Sequence, residues 1–397
     1  MNNLNIILKD DITTVENLLP LTFTRPVSHL LVGNSTIAEK WHKLLDSPIS
    51  YATTDYLSEL FPTVTADDNI IIFSHYIPTA ALRDEILSLA PGEALTDADD
   101  SIIAFRGSAE AVNISLPSAS LSLRPTADSH KKLEHIYDLF LLCDELLRID
   151  FSTIAAGRQS QPLPESCILI GDSSQLFIEE GASVEGAIIN VRQGPVYIGR
   201  NAEIMEGACL RGPISIGHNS TVKMGAKIYG ATTIGCHCKV GGEINNVVMH
   251  DFSNKAHDGF LGNAVIGSWC NLGAGCTASN LKNDYTEIKL WNYRSCRFLR
   301  TGLLHCGLIM GDHSKAGVNT MFNTATVIGV GVNIHGTGFP RNFVASFSEG
   351  STAGFNEVQL SKFLTTAKKV MARRNVELTD ADIRMFEALH QATDSYR

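Results

Sequence analysis

The chain has 397 residues, of which 44% are hydrophobic and 19% charged, and its formal net charge is −10. That length exceeds one average domain, and the balance is that of a globular protein able to fill large cores. The acidic sum argues against a general nucleic-acid or membrane-surface binder, while leaving room for a local basic pocket that takes a phosphate.

In chain order, residues 1–150 read as an α/β unit. "LNIIL", "NIIIF" and "DSIIAFRG" have the look of strands, and "TAALRDEILSLA" that of a helix. The opening "MNNLNIILKDDITT" carries charges where a signal peptide needs an apolar run. No window reaches the apolar length of a membrane span. Nine cysteines, an odd number, fit free thiols in a reducing compartment, so the expectation is a cytoplasmic protein. The stretch 129–148, "SHKKLEHIYDLFLLCDELLR", reads as a linker helix capped by Ser129, and "QSQPLPES" at 159–166 as a boundary.

From 167 to 345 the chain repeats itself. An aliphatic residue recurs every sixth position at Ile198, Ile204, Leu210, Ile216, Val222, Ile228, Ile234 and Val240, with Ile178 and Val184 upstream. Small residues sit two before many of these, among them Ala202, Ala208, Ser220, Ala226, Thr232 and Cys238. A second series follows at Met310, Ala316, Phe322, Ile328 and Ile334. Neither the helical period of 3.6 nor the strand period of 2 produces such a run. Hexads build a parallel β-helix, in which three short strands close one triangular coil and each coil buries its face only against its neighbours. "CHCKVGG" at 236–242 offers C-x-C without a second pair, so no metal site is expected. Residues 346–397 should cap the stack with two short helices, the second starting at Thr379 with Asp382 in capping-box style. The basic cluster Lys368, Lys369, Arg373 and Arg374 reads as a solvated helix face, as do His313 and Lys315 of "GDHSKAG", while Trp269 and Trp291 read as packing residues.

The series slips at "NKAHDGFLGNAVIGSWCNLGAG", residues 254–275, before Ile266 and Leu272 resume it. A rigid array that usually trimerises would present residues thrown out between coils to a neighbouring subunit. Histidine changes charge near neutral pH, which suits it to take a proton from an amine or hydroxyl. The "NLGAG" turn supplies backbone N–H groups for a developing oxyanion. His257 as base beside the 271–275 backbone points to acyl transfer.

Residues 196–345 resemble the left-handed β-helix acyltransferases, and in particular the acetyltransferase half of the bifunctional N-acetylglucosamine-1-phosphate uridyltransferase/glucosamine-1-phosphate N-acetyltransferase family. "KAHDGFLGNAVIGSWCNLGAGCTASN" is similar to that family's Lys-Ala-Gly-His, Leu-Gly-Asp, Ile-Gly, Asn-Ile-Gly-Ala-Gly and Asn-Tyr series, with spacing kept from His257 through Gly262, Gly267, Asn271 and Gly275 to Asn280. The resemblance implies that His257 deprotonates the amine, that Asn271 and Asn280 lie in the cleft for sugar and acetyl-CoA, and that the Ala274 backbone faces the acetyl group. It places Lys227 where the family has an Arg for the sugar phosphate. This chain departs from the family at Asn245, where a Lys is usual, at Phe260 and Leu281, where Tyr is usual, and in the segment 281–309, where Lys282 and Lys289 stand.

"LLPLTFTRPVSHLLVGNSTIAEKW", 18–41, resembles a sugar-nucleotidyltransferase segment. The family's preceding Gly-rich loop is replaced by "DDITTVEN", its Lys after Pro by Val27, and its Mg²⁺-binding Asp by His75 in "FSHYIP". Arg25 remains as a candidate anion contact. The expected architecture is therefore a reduced nucleotidyltransferase-like α/β domain, a left-handed parallel β-helix and C-terminal helices. The expected function is acetyl-CoA-dependent N-acetyl transfer to an amino-sugar phosphate or amino-sugar nucleotide by a homotrimer, with Mg²⁺ needed only if the front domain is active. Two alternatives stay open: a sugar-1-phosphate nucleotidyltransferase, and a non-catalytic sugar-nucleotide-binding protein.

Overall fold

Isoleucine-rich runs bounded by turn residues become buried strands in the first unit. The computed structural model describes residues 4–45, 47–113 and 121–397. One unit holds Met1–Leu18, Thr24–Leu30 and Ser35–Ile136, the other Leu19–Phe23, Leu31–Asn34 and Tyr137–Arg397. In the first, β1 (Asn5–Lys9), β2 (Ile49–Ala52), β3 (Asn69–Phe73), β4 (Glu93–Thr96), β5 (Ile102–Gly107) and β6 (Ser122–Pro125) form a mixed sheet in the order β2-β1-β3-β5-β4-β6. β2, β1 and β3 run parallel, and β3 pairs antiparallel with β5. Asp11 caps α1 (Ile12–Asn17), and Thr79 caps α3 (Ala80–Leu87); α2 (Ile37–Leu45) lies between them in the chain.

The expected helix over 129–148 starts late. Residues 131–133 instead pair with the backbone after β3, with Ile77 N–H donating to Lys131 O and Leu133 N–H to His75 O. That extended pairing satisfies backbone groups a helix would have used, so helical structure begins at α4 (Asp138–Leu141) and continues as α5 (Cys143–Ala155) in the second unit.

The second unit is a parallel β-helix of about 10 turns. Its three faces carry three inward columns. Ile178, Ile198, Ile216, Ile234, Met249, Ile266, Met310, Ile328 and Val344 stack in register on the first. Val184, Ile204, Val222, Val240 and Lys255 stack on the second, and Ile189, Leu210, Ile228, Ile244 and Leu261 on the third. Every expected hexad position is buried. The small residues two positions earlier satisfy the corners. Ser220, Ser253 and Ser314 each donate to a carbonyl (Gly235, Gly267 and Gly329) and accept an amide of the adjoining coil.

The slip in the series is a contracted coil. Val240 pairs with Lys255, 15 residues on, whereas Val222 pairs with Val240 after 18. Ile244 follows Val240 by four residues and Met249 follows Ile244 by five, so one strand, Glu243–Met249, serves two faces. Residues 281–306 leave the coil as an antiparallel hairpin (Lys289–Asn292 with Arg297–Arg300), whose Trp291 stacks on Phe343 at 4.2 Å.

Left-handed corner residues His237, Phe252, Trp269 and His313 pile their rings into one ladder, with Phe252 and Trp269 only 4.1 Å apart. The cap helices α6 (Leu360–Ala372) and α7 (Asp380–Ala392), the latter with its Thr379–Asp382 capping box, end that ladder by setting Phe363 and Phe386 edge-on against His313. This overturns the solvated reading of His313, which is 4% exposed, and Lys315 Nζ donates to its carbonyl. Arg374 is likewise not free in solvent, since its guanidinium donates to Asn254 Oδ1 at 3.0 Å.

Candidate active site

His257 sits in the turn that leaves the second face and enters the third, between strands Asn254–Lys255 and Phe260–Ile266, and it is exposed. Stacking at this corner is close. Gly259 has φ +122°, and a Cβ there would lie 2.0 Å from Cys276 O, so only glycine fits. The next coil, roughly 5 Å away at strand spacing, brings Gly273, Ala274 and Gly275 to the same corner. Gly275 N–H donates to Asp258 O and Gly273 N–H to Ala316 O, both at 2.9 Å. Among the described residues the Ala274 N–H has no partner, which leaves it as a donor beside the imidazole turn.

The other expected residues spread over the coil surface. Lys227 is exposed and pairs in register with Glu243, which pairs with Phe260, so Lys227 and Phe260 lie two strands, about 10 Å, apart on the third face. Asn271 is exposed on the second face, beside Asn254 and Lys315. Asn245 and Asn280 occupy the far end of the third face. Asn280 Nδ2 donates to Asn263 Oδ1 at 2.7 Å, and Asn263 in turn donates to the Asn246 amide oxygen at 2.8 Å when that amide directs its nitrogen to Ala231 O and Phe140 O. Asn245, Asn246, Asn263, Asp144 and His305 line an open groove of about 410 Å³ at that end. Within one chain, then, the structure joins His257 to the Ala274 turn and joins Asn245 to Asn280, as two separate places. Sequence reading missed Lys255, Asn246, Asn263 and His305. Only Lys255 left a signal, a charged residue one coil on from Val240.

In the first unit, the carboxyl ends of β1, β2 and β3 converge on Asp10, where open α/β sheets hold ligands. Thr53 Oγ1 donates to Asp10 Oδ2 at 2.7 Å, and Val27 N–H donates to the same carboxylate at 3.2 Å. Burial pushes the Asp10 pKa up to about 6, against the hydrogen bonds. Arg25 is half-buried; burial, with the charge of Arg25 second, lowers the His29 pKa to about 4. Burial also lowers the His75 pKa to about 4, and its ring packs 4.5 Å from Tyr76. A neutral imidazole at the carboxylate position, beside an aspartate occupied by Thr53 and Val27, does not fit Mg²⁺, which favours anionic oxygen ligands. Among the described residues no cluster of three or more His, Cys, Asp or Glu is placed to hold a metal.

Residues 6–159 match the family model described as sugar nucleotidyl transferase. A bifunctional protein GlmU from Trichodesmium erythraeum is 28% identical over 102 residues, 25% of this chain and 18% of that protein. A bifunctional sugar-1-phosphate nucleotidylyltransferase/acetyltransferase from Sulfurisphaera tokodaii is 29% identical over 99 residues, 24% of each. In sequence, about a quarter of the chain is similar to GlmU. The matched stretches span 18% and 24% of these relatives' lengths. Among solved structures, a UDP-N-acetylglucosamine acyltransferase from Francisella novicida covers 59% of this chain and 76% of its own at 13% identity, with a TM-score of 0.30. No helix among the described residues is long and apolar enough to cross a membrane.

Proposed function

We propose that the protein is an acyl-CoA-dependent acyltransferase that acetylates the amine of an amino-sugar phosphate or amino-sugar nucleotide. What supports this reading is that an exposed His257 and the Ala274 turn, whose N–H has no partner among the described residues, sit at the same corner in successive coils. The amine nitrogen attacks the thioester carbonyl while His257 takes its proton. The Ala274 N–H donates to the oxyanion of the tetrahedral intermediate. Collapse breaks the C–S bond, and the imidazolium returns the proton to the departing thiolate.

Lys227, two strands below Phe260, suits the acceptor's phosphate, and Asn271 the acyl-donor side. The groove lined by Asn245, Asn246 and Asn263 lies toward the other end of the third face from His257, and the reading includes a homotrimer in which a neighbouring chain closes the cleft. The front unit is read as a sugar-nucleotide-binding relic without Mg²⁺-dependent nucleotidyl transfer, with Arg25 as its anion contact.

The test is His257→Ala in the full chain, assayed for thiol release from acetyl-CoA with glucosamine-1-phosphate. General-base removal should cost about 10²–10⁴-fold in kcat, with elution volume on gel filtration unchanged. Wild-type turnover in this variant refutes the assignment.

A further inference from the structure

The second inward column carries aliphatic or small residues in its other coils: Val184, Ile204, Val222, Val240, then Leu272, Ala316 and Ile334 after the odd one. That odd one is Lys255, with 0% of its surface exposed. Taking a lysine out of water is expensive unless its ammonium is fully engaged. Burial lowers its pKa from the ordinary value, with the charges of Cys276 and Asp258 acting the other way. The ammonium has two carbonyl acceptors, Gly241 O at 3.2 Å in the preceding coil and His257 O. Both lie at the corner that presents the imidazole. An aliphatic residue would have filled the column, as it does in the neighbouring coils, without reaching either carbonyl.

We propose that Lys255 is a positioning residue for His257: from inside the coil it clamps the His257 carbonyl to that of Gly241 and so fixes where the imidazole points. This rests on the reading of His257 as the base. The clamp is needed here because the turn stands over a corner reduced to Gly241 and Gly242, which offer no side chains to lean on. Gly242 is bound to that role, since a Cβ on it would meet His257 O at 2.8 Å.

Lys255→Met tests the idea by keeping the chain length and removing the charge. A structural residue and a positioning residue predict different results. Methionine suits the apolar interior, so the thermal midpoint should hold or rise. Misplacement of the base should lower kcat by roughly 10–100-fold and leave both KM values within about twofold of wild type. The double variant with His257→Ala should be no slower than His257→Ala alone. Amide exchange over residues 256–259 should quicken in Lys255→Met while the rest of the coil is unchanged, and Lys255→Leu, matching Leu272 in the next coil, serves if methionine disturbs folding. Wild-type kcat in both variants, a kcat loss matched by a falling midpoint, or unchanged exchange in the turn overturns the proposal. If His257→Ala alone proves fully active, the base assignment has failed separately, and the exchange experiment still decides whether the clamp exists.

Discussion

Asp10 gives a quantitative handle on the front unit. Its pKa lies at about 6 in the fold against an ordinary 3.8, chiefly through burial, so the folded state holds a proton that the unfolded chain has released between those pH values. Stability therefore falls as pH rises from 3.8 to 6 on account of this group, and above 6 the full penalty persists. A difference of about two pKa units, at 1.36 kcal/mol each, is about 3 kcal/mol, and residual solvent contact brings the expected value to roughly 1–3 kcal/mol. The two histidines act with the opposite sign. His29 and His75 titrate at about 4 in the fold, so the unfolded state takes up protons first, and stability falls as pH drops from 6.5 to 4.

Asp10→Asn separates these contributions, because the difference between variant and wild type cancels the histidines. The asparagine oxygen can still accept from Thr53 and Val27. The variant should be more stable by roughly 1–3 kcal/mol at pH 7, with the gain fading to nothing near pH 4. Urea unfolding followed through Trp41, buried in this unit, measures it once Trp269 and Trp291 are replaced by Phe. A variant less stable at pH 7, or a difference flat from pH 4 to 7, would show that Asp10 is not held protonated by burial.

Two further substitutions probe the coil. Gly259→Ala forces a β-carbon into Cys276 O at a φ of +122°, so the turn bearing His257 must move; kcat should fall at least about tenfold, with far-UV dichroism retained, and wild-type kcat would mean the turn tolerates displacement. Phe322→Ala empties a side chain that is 1% exposed and should cost about 3–5 kcal/mol in the calorimetric transition of the coil; a loss under 1 kcal/mol would show that the lumen collapses around the gap.

How much of this was readable depends on the range of the forces involved. The coil was legible because each inward residue answers only to its neighbours one coil away, so the period is written directly in the chain. The strands of the front unit were legible as short β-branched runs. The helix expected from Ser129 was not, because its apolar spacing at 133, 136 and 139–140 is helical while backbone partners at His75 and Ile77, far away in sequence, claim the segment first. His313 was misread for the same reason: its hexad position faces outward, and only the return of α6 and α7, some 50 residues later, covers it. The candidate site was half legible. His257 and the Ala274 turn stand in register within two adjoining coils, whereas the separation of Asn245 and Asn280 from them follows from which corner each occupies, and six-residue spacing does not reveal that.

The contraction lies directly beneath the turn that carries His257. In a regular coil, outward residues are spaced evenly and backed by equal lengths of chain, so no corner differs from another in what can approach it. Removing residues makes a corner different without breaking the register that buries the columns. Val240 to Ile244 takes four residues where Val222 to Ile228 takes six, yet Ile228 still pairs with Ile244 and Ile244 with Leu261. Two of the three missing residues fall at the second-to-third corner, beneath the turn that carries His257, and the glycines left there add no side chains to the space. The same shortening removes the side-chain support such a turn would normally have, and an inward lysine is one of the few residues able to restore it from the only side that remains occupied. On the proposed reading, the space beneath His257 and the cation held inside the coil are two consequences of one contraction.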